Sequence, residues 1–111
     1  NNHMEMINFE DFVKIDLRIG KIIEAEKVEG SSKIIKTTVD LGEENRQILA
    51  GIGKFYPPEE LINKIVIVVA NLSPKKIMGM DSEGMILAVK DDNNLSLLGV
   101  DKEIKIGSKI S

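Results

Sequence analysis

The chain has 111 residues and a formal net charge of −3, and it contains no cysteine. This length allows a single domain, since domains typically hold about 100–200 residues. The absence of cysteine excludes disulfide frameworks, thiolate zinc sites and cysteine nucleophiles, and a reducing cytoplasm is the natural setting for such a chain. The net negative charge argues against a generally basic nucleic-acid-binding protein, so any such role must depend on local clusters of positive charge.

The two ends of the chain are expected to differ in order. We expect residues 1–6 to form an N-terminal tail, partly a cloning scar of the form Asn-Asn-His-Met, and residues 7–111 to form the domain. His3, the only histidine, is interpreted as an unstructured terminal residue rather than a ligand or a base. The tail lacks the apolar core of a signal peptide. The longest apolar run, Ile65–Ala70, is far shorter than the ~20 residues of a membrane-spanning helix, so no contact with a membrane is expected.

The first elements are a helical turn and a long strand. Asn8 can cap a turn over residues 9–12, whose two acidic side chains suit the positive end of a helix dipole. From Val13 to Ile19 apolar and polar residues alternate, which predicts a half-buried strand. The alternation is disturbed after Gly20, which indicates a bulge or bend within this strand.

Four more strands and one short helix are predicted farther along the chain. Their patterns predict strands over 35–41, 48–52, 65–70 and 85–89, a helix opening at 57–60, a long loop over 72–84, and short strands in the remainder. Five strands with a single helix between the third and the fourth are typical of an OB-fold, a five-stranded Greek-key barrel. We therefore predict an all-β barrel with small terminal extensions. A plain meander sheet is the alternative, and the position of the helix favours the barrel.

Positive charge is concentrated in three segments. Residues 31–39, 45–58 and 61–80 carry lysine or arginine and no acidic residue, whereas residues 91–103 carry four acidic residues and one lysine. In an OB-fold, strands two and three and the loop between strands four and five form the oligonucleotide-binding face. The basic segments fall on these elements. They predict phosphate contacts, although ordinary solvated lysines would give a similar pattern.

Other residue types narrow the function further. The chain has one tyrosine, three phenylalanines and no tryptophan, and its second and third strands carry Ile, Thr, Val and Leu. This argues against a single-strand binder that stacks bases on its sheet, and favours recognition of a folded RNA by shape and phosphate contacts. No phosphate-binding loop, metal-ligand set or nucleophile with an adjacent base is found in the sequence. We therefore predict a binding protein without catalysis, cofactor or metal.

Three ordered segments resemble one known family. The segments are Asp11–Ile22 (DFVKIDLRIGKI), Tyr56–Leu61 (YPPEEL) and Val69–Ala88 (VANLSPKKIMGMDSEGMILA). They are similar to the tRNA-binding OB domains that occur at the C-terminus of methionyl-tRNA synthetases, as free tRNA-binding dimers and in synthetase-associated cytokine precursors. The similarity extends from about Ile7 to the end of the chain.

The resemblance implies a module that binds tRNA with little sequence preference and acts with, or as an appendix of, methionyl-tRNA synthetase. It also implies a homodimer formed by the N-terminal turn, with Phe9 and Phe12, and by the isoleucine-rich segment 104–110, although these residues could equally close the barrel itself. Together with the basic strand residues, the expected RNA-binding set is Lys33, Lys36, Arg46, Asn71, Lys75, Lys76, Ser82 and Met85. The chain departs from the family at Glu29–Lys33, where relatives often have Pro-Asn-Ala-Asp-Lys, and at Met78, where they often have a basic residue.

Two other functions remain open. A peptide-binding export chaperone family shares this barrel and the Ser-x-Gly-Met stretch, and an apolar groove containing Met80 and Met85 would suit flexible peptides. An assembly module whose barrel contacts only protein is the third possibility. Met85 could equally pack inside the barrel, and Asn71 and Ser82 could bond to nearby backbone.

Overall fold

The structure, a computed structural model, describes residues 4–111, so the interpretation of His3 lies outside the described residues. Two short helices and ten strands follow one another within these residues. Their bounds are α1 Phe9–Phe12, β1 Leu17–Lys27, β2 Ile35–Asp40, β3 Asn45–Ala50, α2 Pro58–Leu61, β4 Ile65–Val69, β5 Lys75–Ile77, β6 Met80–Ser82, β7 Met85–Ile86, β8 Ala88–Lys90, β9 Leu95–Leu97 and β10 Lys109–Ile110. The predicted all-β class is confirmed, with one helix between the third and fourth strands.

The main sheet is antiparallel and has the strand order β3-β2-β1-β4-β7, with β10 paired to the start of β1. β3 then meets the chain that leads into β7, because the Glu83 N–H donates to the Gln47 carbonyl at 2.8 Å. The sheet therefore curls into a nearly closed barrel, as predicted. The interior is filled by branched apolar side chains from every main strand, among them Ile22, Ile35, Ile48, Val68 and Ile86.

Strand β1 is the longest strand and pairs with β2, β4 and β10, and a bulge interrupts it. Its register against β2 shifts between Ile22 and Glu24, which places a bulge at Ile23. Gly20 lies where β1 crosses the core, and a Cβ there would lie 2.6 Å from a methyl of Val39. The bulge and bend expected after Gly20 are thus present, and the glycine allows the strands to approach each other closely.

Four local predictions differ from the structure. Residues 13–15 form a turn rather than the start of β1, since the Lys14 and Ile15 amides bond back to α1. The Asn8 side chain makes no capping bond, and only its carbonyl accepts from the helix. The segment 72–84, expected to be a loop, contains the β5–β6 hairpin, and the expected fifth strand divides into β7 and β8. The alternation of apolar and polar residues along the sequence does not indicate which strand each short strand pairs with.

Candidate nucleic-acid interface

The β5–β6 hairpin forms one wall of an open groove beside β3 and β7. Its two-residue turn consists of Met78 and Gly79, both with positive φ, as a type I′ hairpin turn requires. The Cε of Met78 lies 3.7 Å from the position that a Cβ would take at Gly30, in the turn between β1 and β2. The hairpin tip and the β1–β2 turn therefore meet, as the two loops that frame an OB-fold binding face do.

The groove has a volume of about 720 Å³ and a largely apolar floor. We call it the hairpin groove. Its apolar lining includes Leu49, Ile52, Leu72, Ile77, Met85 and Leu95. Met85 is 47% exposed, so its side chain faces the groove and does not pack in the barrel core. Such a floor can hold a nucleobase or an apolar side chain.

Two lysines supply positive charge at the hairpin groove. Lys75 lines it directly. The Cε of Lys33 lies 3.7 Å from the position a Cβ would take at Gly51, another lining residue, and the Lys33 carbonyl accepts a 2.7 Å bond from the Gly53 amide. Neither lysine has an ion-pair partner within residues 4–111. Both ammonium groups are therefore available to an anionic ligand.

Lys36 and Lys76 differ from these two lysines, because each already has an acidic partner. The Nζ of Lys36 lies 3.1 Å from Oε1 of Glu26. Lys36 lines a separate, more polar groove on the outer face of β1 and β2. The Nζ of Lys76 lies 3.0 Å from Oδ1 of Asp81 across the hairpin. Neither residue lines the hairpin groove. Exposed ion pairs of this kind are weak, so both lysines could exchange their partner for a phosphate.

Arg46 holds the strands of the barrel together. Its Nη1 donates to the carbonyls of Ala70 at 2.7 Å and Glu83 at 3.0 Å, and its Nε donates to the Glu44 carboxylate at 2.7 Å. The Glu44 carboxylate raises the pKa of Arg46, and the same contact lowers the pKa of Glu44. With 23% of the side chain exposed, the guanidinium is committed to the fold.

Asn71 and Ser82 also bond to backbone. The Asn71 Oδ1 accepts from the Asp16 amide at 2.8 Å, and its Nδ2 donates to the Lys14 carbonyl at 2.7 Å. The Ser82 Oγ accepts from the Leu49 amide at 3.0 Å and is 4% exposed. Asn71 does not line the hairpin groove, whereas Ser82 does. Both side chains therefore bond to nearby backbone, which is the alternative given for these residue types in the sequence analysis.

Of the eight expected residues, the structure places Lys75, Ser82 and Met85 in the lining of one groove and Lys33 beside the lining residue Gly51. It places Lys36, Arg46, Asn71 and Lys76 outside the lining. The apolar groove expected from Met80 and Met85 is present and Met85 lines it, but Met80 does not. The sequence does not mark Leu72 and Ile77 as part of its floor, because both lie in the segment expected to be a loop. Within the described part of the chain, no three His, Cys, Asp or Glu side chains cluster as a metal site would require. No helix there is long and apolar enough to cross a bilayer.

Comparison with known proteins identifies the family. Residues 17–109 match the family described as "Putative tRNA binding domain". The chain is 56% identical over 108 residues to methionine–tRNA ligase of Caldanaerobacter subterraneus subsp. tengcongensis, and 53% identical over 107 residues to that of Pyrococcus horikoshii. The alignments cover 97% and 96% of this chain but only 17% and 15% of those enzymes, so the chain spans about a sixth of these relatives.

Solved structures agree with this assignment. A MetRS related protein from Pyrococcus horikoshii superposes with a TM-score of 0.91 at 37% identity, over 97% of this chain and 100% of the other. The chaperone CsaA from Bacillus anthracis superposes with a TM-score of 0.86 at 38% identity, over 96% and 100%. The matched family is a non-catalytic binding module, in agreement with the absence of catalytic motifs from the sequence. The chain belongs to this family of tRNA binding domains.

Proposed function

We propose that this chain binds tRNA through the hairpin groove by phosphate contacts and shape, and serves methionyl-tRNA synthetase either as a separate protein or as its appendix. We take residues 7–111 to be the tRNA-binding domain and the cytoplasm to be its place of action. The observation that supports this most is the position of Lys33 and Lys75, two lysines without ion-pair partners in the described chain, at one groove of an otherwise acidic protein.

Within this proposal the eight expected residues have different roles. Lys33 and Lys75 hold phosphates, and Met85 contacts an exposed base or sugar. Lys36 and Lys76 add outer phosphate contacts after giving up their acidic partners. Three residues act indirectly by fixing the groove and the chain around it: Arg46, Asn71 and Ser82.

Binding of purified protein to bulk tRNA, measured across a range of salt concentrations, tests the proposal. We expect affinity to fall steeply from low to moderate salt, because lysine–phosphate contacts release counterions. We also expect different tRNA species to bind with similar affinity, since phosphate contacts carry no base sequence. If no complex forms at any ionic strength, tRNA binding is excluded and a barrel that contacts only protein becomes the better assignment.

Peptide binding is the second candidate, supported by the apolar floor of the hairpin groove and by the similarity to a chaperone. An unfolded polypeptide would place apolar side chains where the first proposal places a base. Competition separates the two functions. If an unfolded polypeptide displaces bound tRNA, the two ligands share the groove. If the protein binds the polypeptide but binds no tRNA even at low salt, the chaperone assignment alone is supported.

The homodimer is also a proposal, supported by an apolar surface near the N-terminus. Four of its side chains are between 65% and 95% exposed: Met4, Met6, Ile7 and Phe9. The four residues lie within positions 4–9 of the chain, and exposed apolar surface that is contiguous marks interaction sites. Sedimentation of the wild type and of the Met6→Ser, Ile7→Ser double variant tests it. The wild type should be a dimer and the variant a monomer, and a monomeric wild type contradicts the dimer.

A further inference from the structure

An exposed aromatic ring with a lysine over it lies beside the hairpin groove. The Phe55 side chain is 37% exposed, and the Nζ of Lys90 lies 5.7 Å from the centroid of its ring. Lys90 pairs with Leu95 across β8 and β9, and Leu95 lines the groove. The Phe55 amide donates to the carbonyl of Ile52, another lining residue, at 3.0 Å. The pair therefore extends the groove on the side formed by β8 and β9.

Phe55 is not part of the core packing, whereas the next residue, Tyr56, packs against the core. The Tyr56 ring packs against the core, its hydroxyl accepts a 3.1 Å bond from the Leu97 amide, and the Nζ of Lys64 lies 5.8 Å from its ring centroid. Phe55 belongs neither to the core nor to the side chains packed against it. The exposed part of Phe55, 37% of its surface, is therefore available to a ligand.

The charges near Phe55 favour an anionic ligand. Lys54 and Lys90 are in no ion pair among the described residues. Asp91, which follows Lys90 in the chain, accepts hydrogen bonds at its Oδ1 from the amides of Asn93 and Asn94, at 2.8 Å each, within its own turn. The two lysines therefore remain available for phosphates.

We propose that Phe55 and Lys90 form a stacking platform for an unpaired nucleotide of the bound RNA. The base stacks on the Phe55 ring, and the Lys90 ammonium leaves the ring for the adjoining phosphate. This exchange is favourable, because base–aromatic stacking is stronger than an exposed cation–π contact. Paired bases inside a duplex have no free face to offer, so the platform recognises single-stranded ends or loops. This inference rests on the proposed tRNA binding.

A tryptophan at the platform reports stacking directly, because the chain contains no tryptophan of its own. The variant Phe55→Trp is titrated with tRNA, with oligocytidylate and with a blunt RNA duplex, and its fluorescence is recorded. We expect quenching by tRNA and by oligocytidylate but not by the duplex. Val100→Trp, which is 39% exposed in the acidic segment 91–103 and outside the groove lining, is the control and should show no quenching.

Affinity measurements complete the test. Phe55→Leu should bind tRNA about tenfold more weakly, as expected for one lost base stack, with an unchanged dependence on salt. Lys90→Gln should lose less affinity for tRNA than Phe55→Leu does. Its affinity should also depend less steeply on salt, because the substitution removes a positive charge. A thermal denaturation curve close to that of the wild type shows that each variant is folded.

The outcomes separate the two proposals. If the wild type binds tRNA but Phe55→Trp is not quenched and Phe55→Leu binds normally, the platform is refuted while tRNA binding stands. If the wild type binds no RNA, both proposals fail. If an unfolded polypeptide quenches Phe55→Trp and RNA does not, the platform binds protein, and the inference is wrong.

Discussion

Lys75 and Lys76 are adjacent in the chain but point to opposite faces of the β5–β6 hairpin. Lys75 is opposite Ser82 in the register, and both line the hairpin groove. Lys76 is opposite Asp81, and the two side chains form a 3.0 Å ion pair away from the groove lining. Alternation of side chains along a strand requires this separation. The two lysines therefore differ in their access to a ligand in the groove.

The two lysines should accordingly differ in their contribution to RNA binding. We expect Lys75→Ala to lower the affinity for all tRNA species alike and to reduce the slope of log affinity against log salt by about one. Lys76→Ala should have a smaller effect, because that lysine must first give up Asp81. Filter binding across salt measures both variants. Lys102→Ala, in the acidic C-terminal segment, controls for the loss of one positive charge, and equal losses at positions 75 and 76 would contradict the assignment.

Ser82 should contribute to stability more than to direct RNA contact. Its hydroxyl accepts from the buried Leu49 amide and donates to the Gly84 carbonyl at 3.4 Å. Ser82→Ala leaves that amide without a partner and should lower the free energy of unfolding by about 1–3 kcal/mol. Urea unfolding measures the loss. Ser96→Ala removes an exposed hydroxyl from β9 and serves as the control. A stable Ser82→Ala protein with strongly weakened tRNA binding would instead make Ser82 a direct ligand.

Asn71 should hold the N-terminal turn against the barrel. Its amide bonds both to the Lys14 carbonyl and to the Asp16 amide, so one side chain fixes the start of β1. We expect Asn71→Ala to lower the free energy of unfolding by about 1–2 kcal/mol through two lost hydrogen bonds. It should also speed proteolysis within residues 9–16. Asn93→Ala, whose side chain makes no bond within the described chain, is the control. Normal stability with lost tRNA binding would show that Asn71 contacts RNA.

The sequence is informative about the fold because the barrel depends on periodic patterns. The period of two along β1 and β2, and the apolar run of β4, identify strands buried on one face or on both. The short helix is marked by Pro58 with Glu59 and Glu60 in its first turn. The β5–β6 hairpin has no such signal. Its turn uses Met78 at a φ of +52°, a conformation that sequence rules assign to glycine or asparagine.

The candidate site is less predictable than the fold, because side-chain roles depend on long-range contacts. The sequence shows a basic residue at Arg46, but its carbonyl partners Ala70 and Glu83 lie 24 and 37 residues away. Charge counting therefore overstates how many cations can meet a ligand. The contact between Phe55 and Lys90 has no sequence signature either, since 35 residues separate the two.

The ion pair at the start of β1 should make stability depend on acidic pH. Arg18 Nε donates to both oxygens of Asp16, at 3.0 and 3.1 Å, and 21% of the Asp16 side chain is exposed. Hydrogen bonding to Arg18 lowers the pKa of Asp16 below its ordinary value of 3.8, against a smaller opposing effect of burial. The unfolded chain therefore binds this proton more tightly than the folded chain does, and the stabilisation is lost on acidification.

The sign and range of this effect follow from the lowered pKa. The Asp16 contribution is complete at pH values well above 3.8 and declines as the pH falls through 3.8 towards the lower folded value. Urea unfolding of the wild type and of Asp16→Asn at several pH values should therefore give a difference that is constant near neutrality and shrinks below about pH 4. Asp101→Asn provides the baseline for loss of one exposed carboxylate. A difference that stays constant down to pH 3 would mean that Asp16 acts through geometry alone, without its charge.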